Sequence, residues 1–93
     1  MDGEKARVVN IYHDDFDIYC GRGHGSIWGN PFKIGLDGGR EEVILKYEAW
    51  IRKRPYLISQ LHTLKGLRLG CHCAPKRCHC EVLIKLMKEM GIE

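Results

Sequence analysis

Between Gly21 and Gly39 the chain carries seven of its eleven glycines, at positions 21, 23, 25, 29, 35, 38 and 39. Glycine weakens helix and strand interiors and favours turns, so regular structure must come from the segments on either side. With 93 residues in all, positions 1–93 are read as a single domain with one modest core. No apolar run approaches the roughly 18 residues of a membrane helix, and Met1 to Arg7 lacks the apolar stretch of a signal peptide. A soluble, cytoplasmic protein without membrane contact is expected.

The flanking segments have clear periodicities. Arg7-Val8-Val9-Asn10-Ile11-Tyr12 reads as a first strand, and Asp17-Ile18-Tyr19-Cys20 as a second. A short strand is expected around Phe32-Lys33-Ile34 within the glycine-rich loop. Val43, Ile44, Tyr47, Trp50 and Ile51 recur at helical spacing, which predicts a helix over about 40–53, with Glu42 and Lys46 set to pair at i,i+4. Pro55 opens a second helix with Leu57, Leu61 and Leu64 on one face, and Gly66 stops it. The alternating run from Leu67 to Cys73 predicts a strand. Leu83, Leu86, Met87 and Met90 stripe a last helix over about 79–90. The order implies a small α/β sandwich with a short, mostly parallel sheet and about three helices.

Four of the five cysteines fall within Cys71-His72-Cys73-Ala74-Pro75-Lys76-Arg77-Cys78-His79-Cys80. An odd count without a secretion signal points to thiols used as a site in a reducing compartment, not as cross-links. Strand alternation puts Cys71 and Cys73 on one side at the carboxyl end of a strand, where open α/β sheets bind ligands. The helix start beyond supplies unpaired backbone N–H groups, and Lys76 and Arg77 add positive charge, so Cys78 is expected to have the most depressed thiol pKa. Three readings compete: buried cysteines as plain packing, a zinc site, or a ligand or catalytic site using Cys78 and His79. The zinc set would be Cys71, Cys73 and Cys78 with His79 or Cys80, although two C-x-C pairs depart from the usual C-x(2–4)-C spacing.

The second chemical stretch is Cys20-Gly21-Arg22-Gly23-His24-Gly25-Ser26-Ile27-Trp28-Gly29-Asn30-Pro31-Phe32. It matches neither the dinucleotide fingerprint nor the P-loop. Its parts still suit a phosphate-bearing ligand. Gly23 allows close backbone approach, Arg22 can clamp a phosphate, Trp28 can stack on a ring, Asn30 can read a base edge and His24 can carry a proton. The competing reading makes Trp28 and Phe32 core plugs. A net charge of +3 and a pI near 8.6, with both signs scattered, tolerate an anionic ligand without demanding a polyanion, so nucleic acid is not the favoured partner. His13, Asp14, Asp15 and Asp17 read as a solvated turn.

In order, Arg7-Val8-Val9-Asn10, Gly21-Arg22, Trp28-Gly29-Asn30-Pro31-Phe32, Asp37-Gly38 and the C-x-C-x-P-x-x-C-H run ending at His79 resemble the small bacterial and phage family called domain of unknown function 4326. The resemblance covers nearly the whole chain. It implies a compact fold with these two boxes as signature, and it transfers no reaction. Cys80 stands where that family usually has a small residue, and His72 where it often has an aromatic one.

The leading expectation is therefore an α/β domain binding a nucleotide-like or other phosphate-bearing ligand between the glycine-rich loop and the Cys78-His79 helix start. Ligand contacts are expected from Arg22, Gly23, His24, Trp28, Asn30 and Cys73. If it is an enzyme, a transferase or hydrolase acting on nucleosides or nucleotides is implied, with Cys78 and His79 catalytic. The rivals are a structural zinc domain contacting nucleic acid or protein, and a non-catalytic small-molecule binder. No cofactor is identified from the sequence.

Overall fold

A computed structural model describes residues 5–23 and 25–92. Strand β1 is Arg7–Asn10 and β2 is Ile18–Tyr19; helix α1 is Arg40–Arg52 and α2 is Pro55–Gln60, continued by a 3₁₀ turn over Leu61–Leu64. Strand β3 is Arg68–Cys71 and helix α3 is Cys80–Glu89. The strands form one sheet in the order β1-β3-β2, with both outer strands parallel to β3. Val8 pairs with Leu69 and Asn10 with Cys71 on one side, and Tyr19 with Gly70 on the other. The α/β class and parallel sheet are as the periodicities predict. Phe32 to Ile34 form no strand, because the amides there are spent locally: Phe32 N–H donates to Asn30 Oδ1 and Lys33 N–H to Asp37 Oδ2. No helix among the described residues is long and apolar enough to cross a membrane.

Leu69 and Cys71 of β3 enter the core, where α1 contributes Ile44, Tyr47 and Ile51 and α3 contributes Cys80, Leu83, Leu86 and Met87. Leu57, Leu61 and Leu64 close the same cluster from one face, as their spacing requires. Gly70 faces the other way, beneath Ile11 and Phe16, whose side chains would meet a Cβ placed there at 2.7 and 2.8 Å. Met90, expected on the buried stripe, is exposed, because α3 stops at Glu89 before the stripe completes another turn.

The start of α1 differs in detail from the expected Glu42–Lys46 pair. Glu42 turns back so that its Oε1 accepts from Gly39 N–H at 2.9 Å, while Lys46 Nζ donates to the Asp37 carbonyl at 2.6 Å. The first contact satisfies an orphan N–H at the helix entrance and the second a loop carbonyl, both in preference to a solvated ion pair. They anchor the far end of the glycine-rich loop to α1.

Short β2 is held by Asp17. Its backbone N–H donates to the Arg68 carbonyl, and its carboxylate accepts from Arg68 N–H at 2.7 Å, Nε at 3.1 Å and Nη2 at 3.0 Å. Hydrogen bonds from Arg68 hold the Asp17 carboxyl at about 2, below its ordinary 3.8. A depressed carboxyl contributes stability that is complete above about 3.8 and is lost as pH falls toward about 2. Asp17→Asn should therefore lower the melting temperature at neutral pH and flatten its acid dependence between those values, as melting curves across that range would report.

Candidate functional site

The carboxyl end of β3, the segment that follows β2, the first turn of α1 and the segment leading into α3 meet around one cavity of about 140 Å³. Gly21, Arg22, Asn30 and Phe32 line it from the glycine-rich loop, and Cys71, Cys73, Cys78 and His79 from the thiol-bearing corner. Residues fifty positions apart in sequence thus share one wall. Arg40, Val43 and Ile44 of α1, with Ile34 and Arg77, complete most of the rest. The location at strand carboxyl ends is the usual ligand position in open parallel sheets.

The loop holds its shape by internal hydrogen bonds. Arg22 donates from Nε to the Asn30 carbonyl at 2.7 Å and from Nη2 to the Phe32 carbonyl at 3.2 Å. Asn30 is buried; its amide donates to the Val43 carbonyl at 3.2 Å and its Oδ1 accepts from Phe32 N–H at 2.9 Å. A Cβ on Gly29 would come within 2.9 Å of Arg22 Cα and 3.0 Å of the Gly21 carbonyl, so only glycine permits the two arms of the loop to touch. Gly23, at φ +82°, is an exposed turn residue with nothing within 4 Å of a Cβ built on it. His24 lies outside the described residues.

Two expectations for this loop need correction. Trp28 is only 1% exposed and packs in the core, so its indole offers no open face for stacking; its bulk is better satisfied by burial in a small domain. Asn30 lines the cavity, but its side chain is committed at both ends to the protein backbone, which makes it a brace for the loop before it can read a base.

The sulfurs are also arranged differently from the strand-alternation reading. Cys71, Cys78 and Cys80 place their Sγ atoms within 4.8 Å of one another, and Cys78 lies 3.4 Å from Cys71. Cys73 is outside this group, because β3 ends at Cys71 and alternation stops with it. Cys78 does not have the depressed pKa: its hydrogen bond to Cys71 pushes it well above the usual thiol range, and the same contact, with Cys80, pulls Cys71 well below. Cys80 is raised by its contacts with Cys20, Cys71 and Cys78 and by burial. The expected cationic help is absent at Cys78 because Arg77 is paired with Glu41 and Glu81, and because α3 begins only at Cys80.

His79 is a bracket. Its Nε2 donates to the Cys20 carbonyl at 2.6 Å, which fixes the protonated nitrogen, since a carbonyl only accepts. Burial lowers its pKa, and its ring stands edge-on to Tyr47 at 4.9 Å between centroids. Tyr47 in turn donates its hydroxyl to the Trp28 carbonyl at 2.7 Å. A proton-carrying role for His79 therefore competes with a hydrogen bond that holds β2 to α3. Just beyond the end of β3, His72 also lines the cavity and hydrogen-bonds with the Tyr12 and Tyr19 hydroxyls, 2.9 Å from Nδ1 and 2.7 Å from Nε2.

Sequence reasoning overlooked Arg40 as a site residue, held Cys80 only as an alternative zinc ligand, and left Tyr47 as plain core. Tyr47 carried a signal: a tyrosine on a buried helix face needs a partner for its hydroxyl. Arg40 carried none, since its Nη1 bond to the Arg77 carbonyl at 2.9 Å spans 37 positions.

A short parallel sheet with helices packed on it, and a cleft where a glycine-rich loop meets a cysteine-rich corner, define the class of protein. The chain belongs to the family described as domain of unknown function (DUF4326), whose pattern it matches over residues 4–89. It is similar to an uncharacterised 12.4 kDa protein of enterobacteria phage T4 from the nrdA-td intergenic region. The two are 33% identical over 93 residues, covering 95% of this chain and 82% of the relative. No solved structure matches the chain.

Tyr47→Phe should cost about 1 kcal/mol, the net worth of a buried hydrogen bond. Urea unfolding should show a lower midpoint with an unchanged slope.

Proposed function

We propose that this domain binds a small phosphate-bearing ligand in the cleft between the glycine-rich loop and the Cys78-His79 corner. The observation that carries this reading is that one cavity is lined by three arginines, Arg22, Arg40 and Arg77, together with Val43, Ile44 and the cysteines Cys71, Cys73 and Cys78. Arg77 is neutralised by Glu41 and Glu81. Among the described residues, Arg22 and Arg40 have backbone carbonyls as partners and no carboxylate. Two guanidinium groups without counter-ions beside an apolar floor suit an anion attached to a compact flat group.

Size refines the ligand. A volume of about 140 Å³ is below the ~300 Å³ at which pockets for drug-sized molecules begin, and close to that of a cavity holding one benzene ring. One ring or one phosphate enters, and the remainder of a nucleotide-like molecule stays at the mouth. Binding is favoured over turnover as the activity, because Cys78, the expected nucleophile, is 4% exposed and its hydrogen bond to Cys71 pushes its thiol pKa up. A reducing, cytoplasmic compartment suits the five free thiols.

The test is calorimetry and thermal shift with inorganic phosphate, pyrophosphate and a panel of nucleoside 5′-monophosphates. At least one should raise the melting temperature in a concentration-dependent way. Arg22→Ala and Arg40→Ala should each weaken that ligand roughly tenfold or more, the worth of a charge-assisted hydrogen bond. Unchanged affinity in both variants, or no shift with any probe, overturns the reading.

A further inference from the structure

We infer that Cys71, Cys78 and Cys80 form a three-thiolate site for a soft metal ion such as zinc, with its fourth coordination position turned to the cleft. This goes beyond anion binding and does not depend on it. Three sulfurs within 4.8 Å of one another are close to one face of a thiolate tetrahedron. With metal–sulfur bonds of about 2.3 Å, the sulfurs of such a face lie about 3.8 Å apart. The observed 3.4 Å between Cys71 and Cys78 and the 4.8 Å limit for the set bracket that spacing. All three thiols are buried, so they are removed from competing water, and no carboxylate belongs to the cluster.

The fourth ligand is decided by exclusion and by direction. Cys20 Sγ neighbours Cys80 but is not among the sulfurs that all lie within 4.8 Å, so it cannot complete the same tetrahedron without rearrangement. His79 Nε2, 3.8 Å from Cys80 Sγ, already donates to the Cys20 carbonyl. Cys73 stands outside the cluster. Of the three clustered sulfurs, those of Cys71 and Cys78 belong to residues that line the cavity, whereas Cys80 does not line it. A metal on the three sulfurs therefore has the cleft on one side, the pattern of sites that keep a position for an exogenous ligand. Three thiolates and a divalent ion leave one net negative charge, which Arg22 and Arg40 at the cavity wall offset.

The experiment uses the whole chain under a phosphine reductant with metal alone. After loading with zinc or cobalt(II) and desalting, about one equivalent should be retained, and the cobalt form should show thiolate charge transfer. Cys71→Ser, Cys78→Ser and Cys80→Ser should each lower metal affinity at least tenfold, while Cys20→Ser and Cys73→Ser leave it unchanged. Because a core cysteine variant can fail to fold, the wild-type protein supplies a second readout: zinc should protect Cys71, Cys78 and Cys80 from alkylation, counted by mass spectrometry, and leave Cys73 reactive. Thiocyanate added to the cobalt protein should change its visible bands if the fourth position is open. Absence of retained metal overturns the site. Loss of metal in Cys20→Ser, or cobalt bands indifferent to thiocyanate, overturns the open position in favour of a closed one.

Discussion

The structure depends on a small set of contacts at its centre, where the Tyr47 hydroxyl donates to the Trp28 carbonyl and His79 Nε2 donates to the Cys20 carbonyl, with the two rings edge to face. Those four residues come from α1, the glycine-rich loop, the end of β2 and the start of α3. A loop with so many glycines has a large conformational entropy to lose, and local backbone bonding alone is a poor return for it. Tying both of its arms to buried side chains of two helices changes the balance. Once Trp28 is in the core and its carbonyl is satisfied, Gly29 can lie against Gly21 and Arg22, and the guanidinium of Arg22 is positioned by the Asn30 and Phe32 carbonyls.

The cleft is a consequence of that arrangement. Parallel strands leave their carboxyl ends open, and β3 delivers Cys71 there while the chain returns through Ala74 and Pro75 to start α3 with Cys80. Asn10 fastens the return, donating from Nδ2 to the Ala74 carbonyl at 2.6 Å. The outcome is sulfur on the floor and arginine on the wall. Thiols buried next to one another polarise each other strongly, which is why Cys71 and Cys78 move in opposite directions although they sit on the same short return. The same closeness that makes one of them acidic makes the group suited to a shared cation.

Much of the frame was readable along the chain. The apolar spacing of Val43, Ile44, Tyr47 and Ile51 located α1, and Leu83, Leu86 and Met87 located α3, because helical periodicity and burial are local signals. The two chemical boxes were also visible as residue types that small cores seldom need in such density. What could not be read was commitment. Trp28 and Asn30 resemble recognition residues by chemistry, yet one is core and the other a brace, and the distinction lies in partners 13 to 19 positions away. The choice of sulfurs was equally hidden: strand alternation pairs Cys71 with Cys73, but the strand ends too early for the rule to apply, and Cys80 takes the place through the first turn of α3.

By itself the sequence determined the class of fold, the positions of the helices and the two segments that carry chemistry, since each follows from patterns within about a dozen residues. Only the tertiary structure decided that those segments share one cavity, which cysteines meet, and which arginines keep their charge available. Those properties depend on contacts between residues 36 to 59 positions apart, such as Arg77 with Glu41 and His79 with Cys20. No local periodicity records such pairings, because they are set by how helices and strands pack and not by the order in which the chain presents them.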